Sequence, residues 1–145
     1  GLAQAQMDIM GFEAWAAFAP ERNHHANLFS PAFAEVLASG AAVSGERLAE
    51  AHALAIHARG EIENLLSQVD VLIAPSATGE APLGLDATGN PIFSRMWSLL
   101  GVPCVHVPTG VGRHGMPVGV TVIGPRWRDA KALSAAVALE ASIRG

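Results

Sequence analysis

Two short apolar runs decide the fold of this 145-residue chain, PCVHV at residues 103–107 and PVGVTVI at residues 117–123. The glycine-rich stretch GVGRHGM at 110–116 lies between them. Apolar runs bounded by turn residues are typical of buried strands, and a glycine-rich turn between two of them predicts a hairpin. A third run, VDVLIA at 69–74, predicts another strand. Because all three runs are almost wholly apolar, we expect a sheet covered on both faces.

Outward from these strands, helical spacing and capping residues predict the remaining elements. The first half contains a helix over 7–18 that stops at Pro20, a loop over 20–30, a helix from Ser30 and Pro31 to Gly40, and a long helix from Ser44 to Val69. The second half contains a long loop over 76–92, a short helix over 93–100 closed by Gly101, and a final helix capped by Asp129 that reaches Ile143.

These elements predict the α/β class, with about three strands and four to five helices. We expect a single partial domain over 1–145, mainly helical over 1–68 and strand-loop-helix-strand-hairpin-helix over 69–145. Three short strands leave two open sheet edges. Because of these open edges and the composition, we expect the domain to be only part of a larger one.

The composition excludes several classes of protein. Half of the residues are apolar, only 15% are charged and the net charge is −4, which excludes intrinsic disorder. The nine basic residues form no cluster, so we expect neither a nucleic-acid nor a membrane-surface partner. A single cysteine excludes a disulfide framework. With no apolar run of membrane-span length and no signal pattern, we expect a cytoplasmic protein.

Cys104 and His106 are the first candidates for chemistry. Residues i and i+2 of a strand face the same side, so a thiol and an imidazole would be neighbours there. A buried strand cysteine that packs as a small hydrophobic side chain is the alternative interpretation, because a reactive thiolate needs a partly exposed, electropositive setting.

The other candidates give no catalytic set. His24 and His25 are adjacent in the predicted loop and have no second ligand pair, so we expect no metal site. Gly110, Gly112 and Gly115 are flanked by strands, which favours a turn over a phosphate loop. Lys131, the only lysine, is expected to be a solvated residue of the last helix.

The second half nevertheless resembles a known family, the amidase signature enzymes, in its C-terminal portion. The matching pieces, in order, are DVLIAP at 70–75, FSRMWSLLGVPCVHVP at 93–108, GMPVGVTVIG at 115–124, and then Asp129, Leu133 and Glu140. The family pattern is a strand ending in Pro-Thr or Pro-Ser, a variable loop, an aromatic residue before a short helix, Leu-Gly-x-Pro, a strand, Gly-x-Pro-x-Gly and a closing helix. Residues 1–64 add little to the resemblance.

The resemblance implies a fold, an activity and a missing catalytic set. The family fold is one large α/β/α domain around a mixed sheet, and its members hydrolyse amides or transfer ammonia without a metal or organic cofactor. They use a nucleophilic serine, a bridging serine in a cis peptide and a lysine base. This chain has no Ser-Ser pair and no Gly-Gly-Ser run, and Lys131 is in the wrong context. The resemblance therefore implies a C-terminal fragment of an amidase, inactive alone, with no catalytic residue of its own.

The resemblance also implies a pocket wall at Phe93, Ser94 and Trp97, because the loop before them corresponds to the family's substrate-facing segment. Ordinary core packing is the alternative for Phe93 and Trp97. Members that use glutamine tend to place an acid just before this helix, where this chain has Pro91, and Asp86 is the nearest acid. That departure disfavours the glutamine-using amidotransferases of the family. Thr121 is a second departure, since many members carry Gln there.

Three functional hypotheses remain open. The first is an incomplete amidase whose parent acts on a small-molecule amide. The second is a non-catalytic α/β interaction subunit that completes a partner chain, or a fragment similar to the A subunit of a glutamine amidotransferase. The third is a thiol enzyme that uses Cys104 and His106. For the first hypothesis we expect self-association through the exposed sheet edges.

Overall fold

A computed structural model describes residues 1–145 and divides them into two compact units, Gly1–His57 and Ala58–Gly145. The elements in chain order are α1 (Leu2–Ala17), α2 (Ala19–His24), a 3-10 turn (Ala26–Leu28), α3 (Pro31–Ala41), α4 (Gly45–Gln68), β1 (Leu72–Pro75), α5 (Ile92–Leu100), β2 (Cys104–Val111), β3 (Pro117–Ile123) and α6 (Asp129–Arg144). The mixture of helices with a three-stranded sheet confirms the α/β class. No helix has the length and apolar character needed to cross a membrane.

The first unit is held by a close helix contact and by an ion pair whose carboxylate is buried. α1 packs against α3 where Gly11 meets Gly40, and a Cβ at Gly40 would overlap the Gly11 carbonyl. The Asp8 carboxylate is 7% exposed and accepts two hydrogen bonds from Arg47, at 2.8 Å from Nε and 2.7 Å from Nη2. It accepts a third from Gln4 Nε2 at 2.8 Å. The hydrogen bonds from Arg47 are the main reason that the pKa of Asp8 lies below its ordinary value.

The second unit is a sheet with the strand order β1-β3-β2, all antiparallel. On one face Val107 and Val122 pack against Ala136 of α6. On the other, Ile123 is fully buried with Leu66 of α4. Both faces are therefore covered at the Ile123 end of the sheet, as the apolar strands predict. β1 and β2 are the two edges. Burial alternates along β1, whereas on β2 it alternates only over residues 104–107 and the rest of the strand is exposed.

Several predicted boundaries are confirmed by their capping geometry. Ser30 Oγ accepts a hydrogen bond from Phe33 N at 3.3 Å, and Ser44 Oγ accepts one from Arg47 N at 3.2 Å. Gly101 ends α5 with a φ of 66°, the left-handed conformation that glycine adopts without strain.

Three predictions are wrong. The loop over 20–30 contains α2 and the 3-10 turn, because Pro20 stands in the first turn of a new helix, where its missing N–H costs nothing. The chain consequently has six α-helices instead of four to five. Asp129 is the first helical residue of α6, and the cap position before it is Arg128, with no side-chain capping bond. The acid at Asp129 still suits the first turn of a helix.

Candidate substrate pocket

A cavity of about 170 Å³ lies between α5 and one face of the sheet. Four residues of α5 line it, one helical turn apart in pairs, so they share one face of that helix. The sheet side contributes residues that follow β1, precede β2 or lie on β2 and β3. The complete lining is Phe93, Ser94, Trp97 and Ser98 from α5 with Ser76, Val102, Cys104 and Thr121.

The three residues predicted for the pocket wall lie together in this lining. Phe93 and Trp97 are half-buried, and Ser94 is exposed. Trp97 also packs against the core cluster that contains Ile123, so the pocket and core-packing interpretations both describe it. Its indole Nε1 is buried without a hydrogen-bond partner. The structure thus brings the three residues to one cavity, and their role toward a substrate stays a prediction.

The start of α5 explains how the chain holds these side chains in place. Pro91 is the cap residue, and its carbonyl accepts hydrogen bonds from Ser94 N at 3.0 Å and Arg95 N at 2.9 Å. The Ser94 hydroxyl donates to the same carbonyl at 3.1 Å, and Asn90 Oδ1 accepts from Ile92 N at 3.1 Å. The helix therefore begins at the position where an acid was expected for glutamine users.

A hydrogen-bonded group of three side chains forms the polar end of the cavity. Ser76 Oγ lies 2.7 Å from His106 Nδ1 and 2.8 Å from Thr121 Oγ1. Ser76 and Thr121 line the cavity, whereas His106 supports Ser76 from outside the lining. Sequence analysis missed this group, because it depends on the pairing of His106 opposite Thr121 in the antiparallel register. The available signal was a serine directly after the proline that ends a strand.

The cavity is electrically neutral. None of its lining side chains carries a formal charge, since burial raises the pKa of the Cys104 thiol and keeps it protonated. The thiol donates to the Val102 carbonyl at 3.7 Å, while His106 Nδ1 is paired with Ser76. A reactive thiolate needs the opposite shift, so the geometry does not support the thiol hypothesis.

Lys131 is not merely solvated. Its Nζ lies 2.7 Å from Asp70 Oδ1, and this pair joins the start of α6 to the segment before β1. The ion pair gives the only lysine of the chain a structural role in the sheet unit.

The loop between β1 and α5 is fastened to the β2–β3 hairpin by Glu80. Its carboxylate accepts hydrogen bonds from His114 N and Met116 N, both at 2.9 Å from Oε1. The carboxylate also fills the space where a Cβ at Gly112 would stand. Beyond this contact the loop turns outward, and the side chains of Leu83 and Leu85 are fully exposed.

Comparisons with known proteins agree on one family. The family model described as Amidase matches residues 21–133. The glutamyl-tRNA(Gln) amidotransferase A subunit of Novosphingobium aromaticivorans is 37% identical over 91 residues, which cover 58% of this chain and 18% of that protein. Its counterpart from Rickettsia bellii is 33% identical over 91 residues, with equal coverage. A crystal structure of an amidase superposes with a TM-score of 0.84 and 29% identity, over 98% of this chain and 35% of the solved one. The chain therefore spans only a minor part of the length of its relatives.

Proposed function

We propose a function from one premise: this chain belongs to the amidase family, whose model matches residues 21–133. The function is to form one wall of the substrate pocket in a longer enzyme that hydrolyses small carboxylic amides. The observation that carries the proposal is the cavity at α5, to which Phe93, Ser94 and Trp97 all contribute. The family resemblance implies that this helix faces the substrate.

The size of the cavity favours a small substituent on the amide. A dry cavity of roughly 150 Å³ is known to hold a benzene molecule, and this one measures about 170 Å³. Phe93 and Trp97 offer aromatic surface to such a ring or to a short aliphatic chain. Because no lining side chain is charged, the group that enters is uncharged, since an unpaired charge in such a site would lose its hydration.

The chemical step belongs to residues outside this chain. The family resemblance implies a serine nucleophile, a bridging serine and a lysine base, and none of them can be assigned here. The physical requirement is an activated hydroxyl that attacks the amide carbonyl, with backbone amides around the resulting oxyanion. Residues 1–145 then position the substrate, while the rest of the enzyme supplies the acyl transfer.

The A subunit of a glutamine amidotransferase is the second candidate. The relatives from Novosphingobium aromaticivorans and Rickettsia bellii, both named as glutamyl-tRNA(Gln) amidotransferase proteins of this kind, support it. Glutamine carries an ammonium and a carboxylate, however, and the cavity offers no charged partner for either. Pro91 occupies the place where an acid would hold the ammonium group. We therefore favour a neutral amide such as benzamide over glutamine.

The setting of the enzyme is also part of the proposal. The single free cysteine, Cys104, suits the cytoplasm, where thiols stay reduced. The free edges of β1 and β2 invite pairing with further strands, either from the remainder of the enzyme or from a second copy. For the 145-residue chain alone we expect a dimer or a larger species in light scattering, and a clean monomer at all concentrations would contradict this expectation.

The test of the proposed function begins with the coding DNA upstream of the Gly1 codon. We expect the frame to continue into a lysine motif and a Gly-Ser-Ser-Gly motif. The whole product should release ammonia from benzamide with a higher kcat/KM than from glutamine. Phe93→Ala should lower kcat/KM for benzamide about tenfold, because it removes one aromatic wall of the cavity. Met96→Ala is the matched control, since Met96 lies on the same helix outside the lining and is 37% exposed. A preference for glutamine, or equal losses in both variants, would overturn the proposal.

A further inference from the structure

At the polar end of the cavity, the direction of one hydrogen bond determines the direction of the next. His106 lies opposite Thr121, and both face the same side of the sheet as Ser76. The backbone N–H of Ser76 donates to the Gly119 carbonyl at 3.3 Å, which holds this residue beside β3 after β1 has ended. Gly119 also leaves room for the imidazole, because a Cβ there would lie 2.6 Å from His106 Cε1.

The Ser76 hydroxyl has a single proton to donate, and two partners compete for it. His106 is exposed, and histidine in water favours the neutral tautomer that carries its proton on Nε2. Nδ1 then has a lone pair, so Ser76 donates to His106 and accepts from the hydroxyl of Thr121. Both hydroxyl protons are therefore donated to acceptors within this group of three side chains. Toward the cavity, the oxygens of Ser76 and Thr121 present only lone pairs.

We propose that the His106–Ser76–Thr121 group makes this end of the cavity a hydrogen-bond acceptor, and so selects substrates that carry a donor. Resting on the proposed function, the inference narrows the substrate class to uncharged amides whose seated group bears an O–H or N–H. Thr121 and Ser76 are the specificity-determining residues. His106 is a positioning residue, because it acts on the ligand through the Ser76 hydroxyl. A group without a donor leaves the two oxygens unpaired and incurs the desolvation penalty.

Pyrrole and furan test this inference on the 145-residue chain. The two rings have nearly the same shape, but pyrrole carries an N–H donor and furan an ether oxygen that can only accept. NMR titration at about pH 7.5, followed on the Trp97 indole, gives the two dissociation constants. We expect pyrrole to bind about fivefold more tightly than furan, the factor that corresponds to one net hydrogen bond. Equal binding, or tighter binding of furan, would overturn the inference.

Four variants separate recognition from packing. Thr121→Val removes one of the two acceptor oxygens and should shrink the preference for pyrrole without abolishing it, because Ser76 Oγ still donates to His106 and keeps its lone pairs. His106→Leu frees the Ser76 proton and should shrink the preference, whereas His106→Asn, which offers an amide oxygen to Ser76, should restore part of it. Thr109→Val on the exposed part of β2 makes the same change outside the cavity and should leave the ratio unchanged. An unchanged ratio in Thr121→Val would refute the role of this residue.

The ¹⁵N signals of the His106 imidazole provide a further test, because a residue that only packs against its neighbours would not change them when a ligand binds. The ¹⁵N shifts of His106 should identify Nε2 as the protonated nitrogen, and pyrrole should perturb the Nδ1 signal although His106 does not line the cavity. Ser76→Ala should remove that perturbation. A proton on Nδ1 in the free protein would contradict the inference.

Failure of this inference and failure of the proposed function are distinguishable. If benzamide moves the Trp97 indole signal but pyrrole shows no advantage over furan, the acceptor end is refuted and the pocket stands. If benzamide does not bind, the pocket itself is refuted.

Discussion

The helical unit, Gly1–His57, and the sheet unit, Ala58–Gly145, differ in how the hydrogen-bond acceptors of their polar side chains are used. Asp8 of the helical unit is almost fully buried, and protein donors satisfy its carboxylate through three hydrogen bonds. In the sheet unit, Ser76 and Thr121 bond to each other at the wall of a cavity and keep accepting capacity on the open side. A buried polar group whose partners are all protein groups stabilises a fold, whereas one with a free acceptor site in a cavity can bind a ligand.

The largest predicted loss of stability comes from a substitution at the contact between Gly11 and Gly40 in the helical unit. Gly40→Ala should lower the free energy of unfolding by about 3 kcal/mol, because the new methyl group overlaps the backbone of Gly11. Gly60→Ala is the matched control, since Gly60 is also helical and faces open space. It should raise stability by up to about 1 kcal/mol. Denaturant unfolding measures both, and equal effects of the two substitutions would show that the close contact is absent.

The dependence of stability on pH tests the comparison between the two units further. The pKa of Asp8 is lowered chiefly by the hydrogen bonds from Arg47, so its contribution is present above the ordinary value of 3.8 and is lost as the pH falls through the lower folded value. Stability should therefore decline as the pH drops from about 5 to below 3.8. The pKa of Asp70 is lowered in the same direction by its hydrogen bond to Lys131, but Asp70 is exposed.

Salt should separate these two carboxylates, because screening acts mainly on exposed pairs. Asp8→Asn should flatten the decline at low pH in both low and high salt, while Asp70→Asn should matter only in low salt. Urea titrations at about pH 5 and about pH 3 provide the measurement. If neither substitution alters the decline of stability at low pH, the roles assigned to Asp8 and Asp70 are contradicted.

The smallest predicted effect concerns the loop that Glu80 fastens to the hairpin. Glu80→Ala removes the acceptor for two backbone N–H groups, so the amides of His114 and Met116 should exchange with solvent about tenfold faster. Glu80→Gln keeps one acceptor oxygen and should show a smaller increase. Global stability should stay within about 0.5 kcal/mol in both variants, as expected for a surface position. Unchanged exchange at these two amides would mean that the carboxylate does not hold the hairpin.

The difference between the units also explains which features the sequence could predict. Strands, helix caps at Ser30 and Ser44, and the stop at Gly101 follow from local spacing and backbone preferences, and the structure confirms them. Pro20 shows the limit of local rules, because a proline that ends one helix can also begin the next. The family resemblance predicts a pocket wall at Phe93, Ser94 and Trp97, and their role toward a substrate stays a prediction.

Long-range pairing accounts for what the sequence did not predict. Ser76 and Thr121 are 45 positions apart, and only the antiparallel register of β3 with its two neighbours brings them together with His106. The hydrogen bonds of Glu80 span more than 30 positions in the same way. Neither hydrophobic periodicity nor capping chemistry contains information about such pairs, because both describe only near neighbours along the chain.

The pocket at α5 underlies the whole functional interpretation, and the three tryptophans of the chain allow a direct measurement of it. Trp97 lines the cavity, whereas Trp15 lies in the helical unit and Trp127 is 84% exposed at the turn before α6. Titration of the ¹⁵N-labelled chain with benzamide, followed by ¹H–¹⁵N correlation spectra, reports all three indole N–H groups at once. We predict a saturable shift of the Trp97 indole with the other two unchanged. A shift of Trp127 or Trp15 in its place, or no shift at all, would contradict the assignment of the pocket.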